Sequence, residues 1–429
     1  MSKIWNKKIK IAALIMFTFL FLYFPPFISI GTHYFLAVLA YGYIAFNLNS
    51  FFLFLKKKTV FYPIMLIVCL LLYVAFIAAL NHQPIKAAVY GPLFWIVVYM
   101  PICFCILNTL KKEKATFHDL IMVLVACCNI QGLLSVVSFV FPPFHTWVLN
   151  RFIMYGYDAD RYTSLSYYRL YGLAFHLTNY APLVAVAMTV IMIKYALKDK
   201  RYLVTTPLMI ISIVLNSRTA LVLLLLGSAF VIFTHFKKLT VKTLRRLTIG
   251  ICSAVVVVAL GAFALKSMQN SSNSWYAGWV LSGFEQIGGL FKGEKSGYFN
   301  YASSDSIWTV PSDMMLIFGS GKDAVGMHYG LKGTDVGYIN YLWIGGIVYL
   351  LGIFGLAFLL IKPFYKSRTK WLFFFFSMVF VIINVKDILF TQNEFMCFLF
   401  LISYGVNYLG SERLLSLLFM NNRRNMLPV

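Results

Sequence analysis

Apolar stretches long enough to cross a bilayer recur along nearly the whole chain. A crossing helix needs about 20 predominantly apolar residues. Runs of that kind fall near 11–30, 33–55, 60–80, 88–108, 119–141, 173–193, 202–215, 219–235, 247–265, 338–361, 371–390 and 394–410. The seventh is the shortest. The pattern predicts an all-α polytopic membrane protein of about twelve transmembrane helices, folded as a single integral membrane domain over 1–429. The 61% hydrophobic content agrees, since soluble chains hold about 45–50% apolar residues.

The formal net charge of +23 would point to nucleic acid in a soluble protein. Here its placement gives another reading, because cytoplasmic segments of membrane proteins are rich in Lys and Arg. With both termini inside, the inner segments hold 26 of the 37 Lys and Arg. Only four acidic residues, Glu113, Asp119, Asp199 and Glu412, lie in or beside them. The charge is thereby explained without nucleic acid. Both termini are expected in the cytoplasm, and two longer polar stretches outside, 142–172 and the large extracytoplasmic loop 266–337.

All seven cysteines lie within the apolar runs, so the outer loops contain no disulfide framework and no thiolate metal site. A basic head from Lys3 to Lys10, followed by an apolar run without a small-residue cleavage site, reads as a retained signal-anchor. Pro25-Pro26 and Pro101 are expected to kink or end helices, since proline removes an amide donor. No repeat of 20–50 residues is present, and the two halves of the chain show no convincing similarity.

The 142–172 segment mixes Arg151, Asp158, Asp160, Arg161 and Arg169 with six tyrosines. It fits an interfacial aromatic belt, and it equally fits a surface on which rings stack against sugars. Gly319-Ser-Gly321-Lys322 has neither the first glycine nor the Ser/Thr of a phosphate-binding loop. Histidines and carboxylates are not clustered at metal-ligand spacing. Neither a metal nor an organic cofactor is expected.

Three places could carry chemistry. Arg218 lies in a short polar step, Asn216-Ser217-Arg218-Thr219, between two apolar runs. Charge at such a depth is a functional hypothesis by default, and a guanidinium suits bidentate binding of phosphate oxygens. The alternative is an arginine capping a helix turn at the surface. Arg169 precedes the sixth run, with Gly172 allowing close backbone approach and His176 and Asn179 sharing a helical face. The same residues also fit an ordinary wet helix end. Asp335, followed by Gly337 and Tyr338, stands at the mouth of the tenth run. It could accept a proton or cap the helix. Lys386-Asp387 is a weaker candidate, read as internal pairing at the interface.

At these places the chain resembles the O-antigen polymerase/ligase family of bacterial envelope glycosyltransferases. The pattern consists of Arg169, Gly172, Phe175 and Asn179; of Ser217-Arg218-Thr219; of Gly319 and Gly321 closing a large outer loop; and of Asp335, Tyr338, Leu342 and Gly346. It covers roughly residues 165–361. Ligases of that family carry a histidine where this chain has Asp335, which favours the polymerase (Wzy-type) branch.

The resemblance implies a polymerase at the outer leaflet of the plasma (inner) membrane, acting on undecaprenyl-diphosphate-linked oligosaccharide. Arg169 and Arg218 would hold the diphosphate, with Gly172, Asn179 and Tyr338 as further substrate contacts. Asp335 or His176 would orient or deprotonate the attacking hydroxyl. A chain-length regulator and a flippase of the same pathway are the implied partners, beside the bilayer itself. The alternatives are an O-antigen ligase, or a flippase or exporter of lipid-linked saccharide.

Overall fold

A computed structural model describes residues 2–25, 31–154, 170, 172–174, 180–235, 308–321, 336–365, 369–391 and 393–409. Every regular element among them is helical, as hydrocarbon demands of a backbone that must satisfy its own polar groups. Lys58–Leu80, Tyr90–Lys112, Phe117–Val140 and Gly337–Tyr365 are long and apolar enough to cross a membrane, and a bent pair from Thr32 to Leu55 makes a fifth candidate. The protein is membrane-embedded. The run 247–265 lies outside the described residues.

In chain order the helices are α1 (Ser2–Tyr23), α2 (Thr32–Ala45), α3 (Leu48–Leu55), α4 (Lys58–Leu80), α5 (Ile85–Phe94), α6 (Met100–Lys112), α7 (Phe117–Val140) and α8 (Pro142–Met154). There follow α9 (Tyr180–Ala196), α10 (Pro207–Asn216), α11 (Arg218–His235), α12 (Asp313–Phe318), α13 (Gly337–Ile361), α14 (Lys370–Ile383) and α15 (Glu394–Tyr408). The centre is formed by α9 and α15. Every α9 residue from Tyr180 to Met192 is buried, and so is all of α15 except Asn407. Around this pair stand α1, α4, α6, α7, α10, α11 and α13.

Several runs that look uniform in sequence are broken. α2 and α3 meet at 106°, with Asn47 at the corner donating to the Tyr43 carbonyl at 2.7 Å. The short seventh run is a 3-10 turn (Lys200–Thr205) followed by α10, together reaching about 27 Å at 2.0 and 1.5 Å per residue. α1 stops at Tyr23, just before Pro25. Pro101, in contrast, does not end its helix. A π-turn (Trp95–Tyr99) precedes it, and the Val97 carbonyl, which Pro101 cannot bond, accepts the Tyr41 hydroxyl at 2.8 Å.

The large loop holds an element that the sequence pattern hid. α12 lies against α13 where α13 itself is broken, at Gly345 (φ −148°, ψ 20°) and Gly346 (φ 65°, ψ −164°). Carbonyls freed by this break are taken up by the chain after α12. Ser320 N and Oγ donate to the Trp343 carbonyl at 2.8 and 2.9 Å, and Gly321 N donates to Ile344 at 3.0 Å. The Tyr73 hydroxyl of α4 contacts the carbonyls of both Phe318 and Gly345 at 3.0 Å. Gly319 and Gly321 have positive φ, and a side chain on either would run into the backbone of Gly345 or Ala78. Gly319-Ser-Gly321 is thus a clip joining α4 to α13.

Candidate functional site

At one end of the bundle the backbone after α14 leaves the helical path from Asn384 to Thr391. Such a segment needs partners for its own polar groups, and buried amides supply them. Asn384 is fully buried. Its Oδ1 accepts the Tyr341 hydroxyl at 2.8 Å and the Leu389 amide at 3.2 Å, while its Nδ2 donates to Phe380 at 2.8 Å. The Tyr341 oxygen in turn accepts the Phe390 amide at 2.9 Å. Asn393, also fully buried, caps α15 by accepting the Met396 amide at 2.8 Å, and donates to the Leu389 carbonyl at 2.8 Å. Trp95 Nε1 reaches the Thr391 carbonyl at 3.1 Å. Glu394 lies fully buried in the first turn of α15.

This segment is where motifs far apart in sequence dock. Ser217, extended at φ −155°, separates α10 from α11 and caps the latter, its Oγ accepting the Ala220 amide at 3.1 Å. Arg218 is therefore the first residue of α11, half-buried at the bundle end. Its neighbour Thr219 accepts from Lys386 Nζ at 3.2 Å. α13 arrives from another side. Its Tyr338 amide donates to the Asn384 carbonyl at 3.3 Å, and its Tyr338 hydroxyl to Val381 at 2.9 Å. Gly337 has no room for a side chain, because a Cβ there would sit 2.6 Å from the Asp387 carbonyl and 2.7 Å from Asn384 Oδ1. α9 completes the ring, its Tyr180 hydroxyl donating to the Ile388 carbonyl at 2.7 Å.

Of the motifs singled out in the sequence, the structure brings those of Arg218 and Tyr338 onto one short segment, 384–388, the first through Thr219, the residue after Arg218. Gly172 lies elsewhere, against Gln131 of α7, with φ of 56°; the Gln131 Oε1 accepts the next amide, Leu173, at 3.3 Å. Arg169, His176, Asn179 and Asp335 lie outside the described residues. Helix α13 starts at Gly337 and its N-cap is Val336.

Lys386, beside Asp387, also reaches across to α11, where it donates to Thr219 next to Arg218. Asn384 and Tyr341 escaped sequence reasoning altogether. The available signal was one asparagine interrupting the apolar run of α14.

Chemically, the residue Arg218, the Lys386 ammonium group and the capped N-terminus of α11 lie at one end of the described helices. Each favours an anion. Compared with known proteins, the chain matches no family model, no curated protein and no solved structure.

Proposed function

We propose that the protein is a polysaccharide polymerase that joins undecaprenyl-diphosphate-linked oligosaccharide units at the outer leaflet of the plasma membrane. In this reading the chain crosses the membrane about twelve times, with both termini in the cytoplasm and the 384–393 end of the bundle facing outward. The observation that carries the reading is the docking of Ser217-Arg218-Thr219 and Gly337-Tyr338 on one segment, 384–388. Those are two of the motifs on which the family resemblance rests, and they are more than a hundred residues apart in sequence.

The reaction needs charge stabilisation more than redox or metal chemistry. A sugar hydroxyl on one lipid-linked unit attacks the anomeric carbon of the glycan on another. The bond from that carbon to the diphosphate oxygen breaks, and the hydroxyl proton passes to a base, for which Asp335 and His176 are the candidates. Negative charge grows on the leaving diphosphate as the bond breaks. Arg218, joined by Arg169, would stabilise it there, and a fixed cation in a water-poor site does this well.

Arg218→Ala tests the reading in cells that make the glycan. Long chains should vanish while single lipid-linked units accumulate. An unchanged chain-length ladder, with the variant present at normal level in the membrane, would remove Arg218 from the reaction and the reading with it.

A further inference from the structure

The stretch 266–337 reads in the sequence as a polar extracytoplasmic loop, yet its residues 308–321 are tied into the helix bundle. Two measurements along different helices give the depth. Tyr73 is seven residues from the end of α4 at Leu80, about 10 Å. Gly345 is eight residues from the start of α13 at Gly337, about 12 Å. The Tyr73 hydroxyl bonds the carbonyls of both Gly345 and Phe318, so the C-terminal end of α12 lies at that level and not at the membrane surface.

After Asp313 the sequence of α12 is Met-Met-Leu-Ile-Phe, without a charge. Met314, Met315, Ile317 and Phe318 are all exposed on the protein surface, Met314 by 65%. The two helices that hold the clip present the same character. α4 shows exposed Leu72, Phe76 and Leu80, four residues apart on one stripe, and α13 shows exposed Leu351. α4 is one of the long membrane-crossing helices, and only 33% of its apolar window is buried inside the protein. The rest of α4 is apolar and exposed on the protein surface. The exposed apolar residues of α12 are joined to α4 through the bond from Tyr73 to the Phe318 carbonyl.

The break in α13 belongs to the same argument. An interrupted helix is tolerated at membrane depth only where other groups take over its freed carbonyls. Those of Trp343, Ile344 and Gly345 are taken over by Ser320, Gly321 and Tyr73. The segment therefore cannot lift off α13 without leaving polar backbone in hydrocarbon.

We infer that α12 and the Gly319–Gly321 clip form a re-entrant wedge, seated in the acyl chains of the half-membrane that holds the C-terminal end of α4 and the N-terminal end of α13. Its partner is the hydrocarbon of the bilayer.

The test uses the full chain in lipid nanodiscs. Met314→Cys and, separately, Ile317→Cys are made in a Cys69→Ser background, since Cys69 is an exposed native thiol. Each is labelled with an environment-sensitive fluorophore, and the signal of the labelled parent is subtracted. Lipids bearing a nitroxide on the acyl chain should remove most of the fluorescence at both positions, and iodide in the water should remove almost none. Lys57→Cys, at the exposed turn before α4, should show the reverse. Strong quenching by iodide would place α12 in water and overturn the inference. Quenching by neither agent would mean that another part of the protein covers this face, which also overturns it.

Discussion

Lys10 pairs with Glu113 at 2.9 Å at one end of the bundle, with both side chains about half-exposed or more. At the opposite end Asn384 and Tyr341 bond each other in full burial. The first end gathers cations that reach for whatever is local. Lys112 donates to Asn47 at 2.6 Å, Lys111 stands over the Tyr408 ring, and Lys194 over Trp371. Thr116 and Asp119 form a reciprocal cap at the start of α7. Arg201 hydrogen-bonds Asp199 and, together with its positive charge, holds that carboxyl below its ordinary range. Water can replace each of these contacts. At the second end Arg218, Lys386 and buried Glu394 are present, but the non-helical backbone after α14 is held by neutral amides and phenols. Water can replace little there. One end looks built to sit in a particular compartment, the other to hold a shape.

Substitutions can break that contrast. The largest effect is expected for Asn384→Leu, which leaves the Tyr341 hydroxyl and the Leu389 amide buried without their acceptor. At about 1–3 kcal/mol for each orphaned group, the loss should be about 3 kcal/mol, read as a lower unfolding midpoint in detergent. A change below about 1 kcal/mol would mean that water already enters this end.

Gly346→Ala is next. It forces φ of 65° on a residue with a side chain and drives the new methyl group into the Ile317 carbonyl. About 2 kcal/mol should be lost, with faster proteolysis within 308–321 as a second readout. The smallest effect belongs to the basic end. Lys10→Met should cost less than about 1 kcal/mol, because an exposed pair gains little over its hydration. A larger loss would show that this end is also structurally committed, and the contrast would fail.

Much of this was legible in the sequence, and what was missed shares a cause. α4, α7 and α13 begin and end within two residues of the apolar runs, because the length of a crossing is set by the membrane and polar residues mark its ends. The corner at Ala45–Leu48 was invisible. A run of apolar residues reports solubility in hydrocarbon, not the direction of the backbone. α14 stops at Ile383, seven residues short of its apolar run, because Asn384 turns the chain through a side-chain bond that no periodicity records. α12 was lost for the opposite reason. Six residues are too few to stand out, and the serines and glycines around them look like any loop. Gly319-Ser-Gly321 resembles a fragment of a phosphate-binding loop, but its amides serve the backbone of α13.

Arg218 was visible as a charge out of place; the approach of Lys386 to the next residue, Thr219, was not. Thr219 and Lys386 are 167 positions apart, and only the packing of α11 beside α14 joins them.

The clip between α4 and α13 also has a direction in time. A chain is made from its N-terminus, so Tyr73 emerges first, then Ser320 and Gly321, and α13 last. Each donor needed by the interrupted turn of α13 therefore leaves the ribosome before that turn does. The late helix can be completed on arrival, without waiting bare in the lipid for a partner still to be translated.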